Sequence, residues 1–362
     1  MQSQRTIGRR ELLAGSAAGI LALAGCGSSQ SKGGSSSTGA RFAYASTSPL
    51  ASVLAAQQLK TWDDAGVSVK VDQVNDVGLA TDLTNGRKAQ FGHSAPTTAF
   101  AAMSQGVPLK ILASLGFGQG EHQAGYLTAP ASSGIRSLKD LGGKKVAVTG
   151  IGTSYDFYLR AALKGVGLST KDVQIVPVPY PQMKGALDQG QVDAALLLAV
   201  DYAGLKAEKK VNVVDTTAGL ADAPIEITGC VVARTDWLKD NEKSAVGFLA
   251  GLLKAESWIE KDVASHQGAK TVKLLQPVLK YDKPTMRDYV TYRLLDIGQE
   301  SKLGGLLRMP HSFVDPALKA LEAGGGIPGK TKVTYESAID LSYLKKAYKK
   351  AGLAWNEDVK YA

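Results

Sequence analysis

Cysteine is almost missing from this chain: Cys26 and Cys230 are the only two in 362 residues. Two thiols so far apart support neither a disulfide framework nor a thiolate-rich metal centre. Histidine is as scarce. His93, His122, His266 and His311 are widely separated, and none stands at ligand spacing from another histidine or a cysteine. No metal site and no cofactor are therefore expected. Long apolar runs are lacking too: the stretch from Leu12 to Ala24 is broken by Gly and Ser, and it falls short of the roughly 20 residues that a bilayer core requires. A basic stripe is also absent. The formal charge of +9 is spread along the chain, with pairs such as Lys144-Lys145, Lys209-Lys210 and Lys349-Lys350 isolated among apolar and acidic residues. Nucleic acid is thus not an expected partner. A composition of 44% hydrophobic and 21% charged residues is ordinary for a globular chain and suffices for two medium lobes.

What the chain does have is a leader. Arg5, Arg9 and Arg10 precede the apolar stretch, and Leu23-Ala24-Gly25 leads into Cys26. That order predicts a signal peptide over residues 1–25 and a lipid on Cys26. The run Gly8-Arg9-Arg10-Glu11-Leu12-Leu13 resembles a twin-arginine signal, which places folded-protein export beside the general route. Residues 26–40 are rich in Gly and Ser and offer nothing apolar to bury, so they read as a flexible tether. The expected location is the outer face of the cytoplasmic membrane, with the two chains of a diacylglyceryl group as anchor.

From Arg41 onward, short apolar runs alternate with helical segments, the pattern of parallel sheets flanked by helices. A first set of strands is read at 41–45, 67–74, 89–94, 109–115 and 125–129, and the turn-rich 130–134 marks a boundary. A second set is read at 145–149, 173–178, 194–200 and 211–214. Ile225 to Ala233 reads as one further strand, in which Cys230 is a small buried hydrophobe. Helices follow at 239–265, 269–279 and 285–299. The predicted fold class is α/β, with a first lobe over 41–130, a second over 131–230, and a return to the first lobe over 231–362. Two crossings, near Pro130 and Gly229, would form a hinge with a ligand cleft between the lobes.

The strongest motif after the leader is Ser137-Leu138-Lys139-Asp140-Leu141-Gly142-Gly143-Lys144-Lys145-Val146-Ala147-Val148. Gly152-Thr153-Ser154, Gly165-Val166-Gly167-Leu168, Asp172-Val173 and the run from Ala186 to Ala194 follow it. Together they resemble the nitrate, sulfonate, taurine and thiamine-precursor family of ABC-importer binding proteins, over roughly 41–241. The resemblance implies a type II periplasmic-binding-protein fold, a small-molecule solute as ligand, a membrane permease as partner, a monomer and no catalysis.

Candidate ligand contacts lie where ligands of open α/β sheets bind, at the C-terminal ends of strands. Ser46, Thr47 and Ser48 follow the first strand, and His93, Ser94 and Thr97 the third. Gly152, Thr153 and Ser154 open a helix whose N–H groups suit an anion, although a capping role serves the same residues equally well. Asp201 and Tyr202 match an acid-led pair of the family, with Val200 where the family has tryptophan. Glu226, between two isoleucines in a strand, either faces solvent or adds an acidic wall. The many hydroxyls favour an organic anion, sulfonate-like first; the two acids would suit an amine-bearing, pyrimidine or aromatic solute instead. Enzymes of thiamine or menaquinone biosynthesis share the fold, but the thiamine-pyrimidine synthase needs a cysteine-rich iron motif that this chain cannot supply. A tethered sensor is a third reading, which an adjacent permease and ATPase would separate from import.

If lipid on Cys26 is the anchor, Cys26→Ala moves the protein from the membrane pellet to the soluble or secreted fraction. Retention of the variant on membranes after a high-salt wash overturns the assignment.

Overall fold

The computed structural model describes residues 38–45, 51–74, 77–119, 125–222, 225–280 and 306–356. The expected leader, Cys26 and the helix expected at 285–299 lie outside them, as does the expected tether up to residue 37; its last three residues, Thr38, Gly39 and Ala40, instead begin the first strand, paired with Val67, Ser68 and Val69. Twelve strands are found among the described residues: β1 (Thr38–Ala45), β2 (Val67–Val74), β3 (Phe91–Ser94), β4 (Leu109–Ser114), β5 (Phe117–Gln119), β6 (Gly125–Pro130), β7 (Lys145–Val148), β8 (Gln174–Pro177), β9 (Ala194–Leu198), β10 (Val211–Thr216), β11 (Ile225–Ile227) and β12 (Cys230–Arg234).

They form two mixed five-stranded sheets and one short ladder. The first sheet has the order β2-β1-β3-β12-β4 and the second β10-β6-β9-β7-β8. β1 runs parallel to β2 and β3, whereas β12 runs antiparallel to both β3 and β4. In the second sheet β7 is parallel to β8 and β9, and β6 is antiparallel to β9 and β10. β5 and β11 pair only with each other, Glu226 opposite Gly118. They are the two chain crossings from one sheet to the other. β12 returns the chain to the first sheet, between β3 and β4.

Two expectations need correction. Gly125–Pro130 was expected to close the first set, but it bonds to Ala195–Leu198 of the second sheet; the first crossing therefore comes at β5, ahead of Gly125, and not at Pro130. The single strand expected over Ile225–Ala233 is two, because Thr228 and Gly229 turn the chain from one ladder into another: the Thr228 N–H donates to Gly116 O at 3.0 Å and the Leu115 N–H to Gly229 O at 2.8 Å. Between β1 and β2, Lys60, whose φ is +55°, separates two helices, Ala51–Gln58 and Thr61–Asp64.

The strongest sequence motif is architectural. Ser137 and Asp140 form a reciprocal cap on the single turn Leu138–Leu141, in which the Asp140 carboxylate accepts from the Arg136 and Ser137 N–H groups at 3.0 and 2.9 Å. Those N–H groups and the Ser137 hydroxyl hold the Asp140 carboxyl below its ordinary pKa. Asp193 likewise accepts from the Lys145 N–H at 2.8 Å and fixes the start of β7. The motif thereby aims β7 and the loop that leaves it.

Aromatic packing holds the first sheet to the long helix Glu242–His266. Phe248 stacks on Phe91 at 3.9 Å between centroids, meets Phe42 edge-on at 5.2 Å and stacks on Trp62 at 5.6 Å. The Trp62 indole donates to Phe248 O at 3.0 Å, so its one polar atom is satisfied in the core. The other face of the sheet packs Cys230, Val232 and Ile111, together with Phe100 of the helix Pro96–Ser104, against Met309, Val314, Leu318 and Leu321 of the C-terminal region. Burial pushes the Cys230 thiol up, which suits the inert role expected of it.

Removing the Phe248 ring leaves a cavity with three aromatic walls. Phe248→Ala is expected to lower stability by about 3 to 5 kcal/mol, read as a lower urea midpoint at unchanged slope; a loss below about 1 kcal/mol would mean that the cluster is not central.

Candidate functional site

Ser46, Thr47 and Ser48 lie outside the described residues. The loops after β3, β7 and β9 are described, and two of them meet. Thr97, in the helix Pro96–Ser104, and Ser154, the first residue of the helix Ser154–Gly165, bring their hydroxyl oxygens into direct hydrogen-bond contact, with either able to donate. One helix follows a strand of the first sheet and the other a strand of the second. The contact therefore spans the two halves, and it joins two residues chosen separately from the sequence.

His93 and Ser94 are buried at the end of β3. The His93 ring stacks on Tyr44 of β1, with centroids 5.7 Å apart and planes at 27°. Gly229 makes room for that ring: a Cβ at this position would stand 2.7 Å from His93 Nε2. Ser94 turns inward, its Oγ 2.8 Å from Thr81 Oγ1 on the helix Val77–Asn85.

The glycine-led turn after β7 is largely satisfied by its own chain. Gly152, at φ +81°, donates its N–H to Asp156 Oδ2 at 2.8 Å, and Arg160 Nε donates to Asp156 Oδ1 at 2.7 Å. Asp156 is 1% exposed. A carboxylate of the protein thus sits in the positive field of the helix N-terminus, where an incoming anion was expected. Thr153 gives the helix no side-chain cap; its hydroxyl donates to Gly150 O at 2.7 Å and tightens the turn. Of the three residues, Ser154 is the one that reaches across to the other sheet.

Asp201 and Tyr202 lie in the helix Ala199–Ala207 after β9. Tyr202 is buried in the core of the second sheet, stacked on Tyr126 at 3.9 Å. Burial raises the Asp201 pKa above its ordinary value, and the nearby Lys184 charge partly opposes the rise. Glu226 sits on the second crossing strand. Two residues at the crossings escaped the sequence reading. Thr217, directly after β10, and Thr228, between β11 and β12, have buried hydroxyl oxygens with no hydrogen-bond partner among the described residues. Isolated threonines beside strands carry no periodic or motif signal, so only their packing marks them. Among the described residues no cluster of three or more His, Cys, Asp or Glu side chains is arranged to hold a metal ion, and no helix is long and apolar enough to cross a membrane.

Two α/β sheets joined by a paired two-strand crossing define the periplasmic-binding-protein fold. Residues 48–262 match the NMT1/THI5-like family, well over half of the chain, and the protein belongs to that family. Its sequence is 23% identical over 226 residues to a binding protein of Brucella abortus, covering 62% of this chain and 66%, just under two thirds, of that one. It is 25% identical over 207 residues to the 4-amino-5-hydroxymethyl-2-methylpyrimidine phosphate synthase of Uromyces fabae, covering 54% of this chain and 59% of the synthase. Among solved structures, the periplasmic aliphatic sulphonate-binding protein SsuA of Escherichia coli superimposes with a TM-score of 0.64 at 18% identity, covering 84% of this chain and 92% of that one. At such identity the likeness is one of fold.

The raised Asp201 pKa has a definite sign. A carboxyl that is harder to ionise in the folded state contributes stability below its unfolded pKa near 3.8, and this contribution is lost as pH rises through the higher folded value. Asp201→Asn is therefore expected to raise the melting temperature at pH 7, with the gain vanishing below pH 3.8. A gain independent of pH would locate the effect elsewhere.

Proposed function

We propose that the protein is an extracytoplasmic, lipid-anchored solute-binding protein of an ABC importer, which takes a small organic solute between its two sheets and presents it to a permease. The observation that carries this reading is the meeting of Thr97 and Ser154. Hydroxyls at two helix N-termini, one behind each sheet, converge across a two-strand crossing narrow enough to bend, and a solute held there touches both halves. Membership of the NMT1/THI5-like family and the fold shared with a sulphonate-binding protein support the same reading. The protein acts by binding and release, as a monomer and without a cofactor. Its one thiol beyond Cys26 is buried Cys230, which leaves no cysteine-rich iron motif of the kind the pyrimidine synthase reading requires.

The hydroxyls of Thr97, Ser154, Thr217 and Thr228 make a sulfonate-like organic anion the first choice of ligand, since each can donate to an acid head. A second reading follows from Asp156. Because that carboxylate already accepts the Gly152 N–H, an incoming anion meets a negative charge at that helix N-terminus, and with Asp201 as a second acid in the helix after β9 a pyrimidine or amine-bearing solute gains ground.

A thermal-shift screen of sulfonates, nitrate, pyrimidines and aromatic carboxylates identifies the class, because a ligand that binds only the folded state raises its stability. Calorimetric titration of three variants then reads the sign of the ligand. For an anion, Ser154→Ala weakens binding by about 1.5 to 3 kcal/mol, roughly ten- to a hundredfold, while Glu226→Gln is neutral or helpful. For an amine or protonated ring the order reverses, and Glu226→Gln or Asp201→Asn is the damaging change. Wild-type affinity in all three would put the site on other loops.

A further inference from the structure

The helix His311–Ala323 serves two cores at once. Ala317 and Ala320 pack into the core of the second sheet, while Val314, Leu318 and Leu321 pack beneath the first. Its exit, Gly324-Gly325-Gly326, folds back tightly: the Gly326 N–H donates to Leu321 O at 2.7 Å, and Gly325 takes φ +78°. Phe157 of the helix Ser154–Gly165 lies against this turn. Although its helix covers the second sheet, its ring packs with the apolar cluster beneath the first. The fit leaves no space for a side chain at Gly324 or Gly326. A Cβ at Gly324 would collide with the Phe157 backbone, at 2.9 Å from its carbonyl carbon, and one at Gly326 would stand 2.7 Å from Cγ and Cδ2 of the ring.

Phe157 stands three residues after Ser154, on the neighbouring position of the same helical face. We propose that Phe157, seated on the bare backbone of Gly324 and Gly326, is a positioning residue that holds Ser154 against Thr97 and so sets the affinity of the cleft without touching the solute. The proposal rests on the solute-binding reading for its consequence, but the seat itself is testable in the unliganded protein. In Gly326→Ala, relieving the 2.7 Å approach of the added Cβ to the Phe157 ring to an ordinary separation of about 3.5 to 4 Å is expected to shift the helix as a unit and carry Ser154 away from its partner, and a smaller closed fraction weakens apparent affinity in proportion.

The two glycines provide an internal control. The clash at Gly326 is with the Phe157 ring and with a terminal methyl of Leu321, which can rotate; the clash at Gly324 is with backbone. Phe157→Leu is therefore expected to rescue Gly326→Ala and not Gly324→Ala. The experiment uses the full chain with Cys26→Ser, and spin labels on Lys70→Cys at the first sheet and Lys171→Cys at the second, where Lys70 and Lys171 are exposed and Cys230 is buried. Dipolar spectroscopy without ligand should show a longer and broader label distance for Gly326→Ala, with return toward wild type in Gly326→Ala/Phe157→Leu. Titration with a short alkanesulfonate should show about tenfold weaker binding for Gly326→Ala, with recovery in the same double variant. Should Gly326→Ala fail to fold, Phe157→Ala, which empties the seat without adding bulk, must lengthen the distance instead. A lowered melting temperature with an unchanged label distance would make the seat mere packing and overturn the proposal. Failure of wild type to bind the sulfonate, with the distances behaving as stated, would count against that ligand class and leave the seat standing.

Discussion

Everything at the candidate site depends on the three-residue ladder between β5 and β11, the pair of strands through which the chain passes from one sheet to the other and back. Because both crossings are hydrogen-bonded to each other and to neither sheet, each sheet can keep its own register while their mutual tilt is decided elsewhere. Three paired residues are too few to resist bending by themselves. Other contacts also bridge the two sheets: Thr97 with Ser154, and the helix His311–Ala323, which packs into the cores of both. On the proposed reading, a narrow joint with such bridges suits halves that close on a solute and part again.

The polar groups of these loops differ in whether the fold itself satisfies them. Asp156 takes the Gly152 N–H and the Arg160 guanidinium; Ser94 meets Thr81; Thr153 closes its own turn. These serve structure. Thr217 and Thr228 place hydroxyl oxygens out of water with no partner among the described residues. A buried hydroxyl without a partner is destabilising by about 1 to 3 kcal/mol, and a bound polar solute removes that penalty where an apolar one does not. On the proposed reading, affinity and specificity would then share one source, the polar atoms that the fold leaves unmet.

Legibility in the sequence followed the range of the interaction. Strand positions and the alternation of strands with helices were readable, because each is written in hydrophobic runs of a few residues. The strongest motif, from Ser137 to Val148, was readable as a family mark, yet its chemistry belongs to the cap on Leu138–Leu141 and to the start of β7. Sheet membership of Gly125–Pro130 was not readable, since a strand with both faces buried looks alike in either sheet.

By itself, then, the sequence determined the order of elements, the family and the loops that carry hydroxyls, because local periodicity, capping and turn chemistry act over a few neighbouring residues. Only the tertiary structure decided which of those hydroxyls face each other. Thr97 and Ser154 are 57 positions apart and meet, whereas Gly152, two positions from Ser154, spends its N–H on Asp156. The bare backbone of Gly324 and Gly326 takes its meaning from Phe157, more than 160 residues earlier in the chain. Such pairings arise when sheets and helices pack, and no local pattern encodes them.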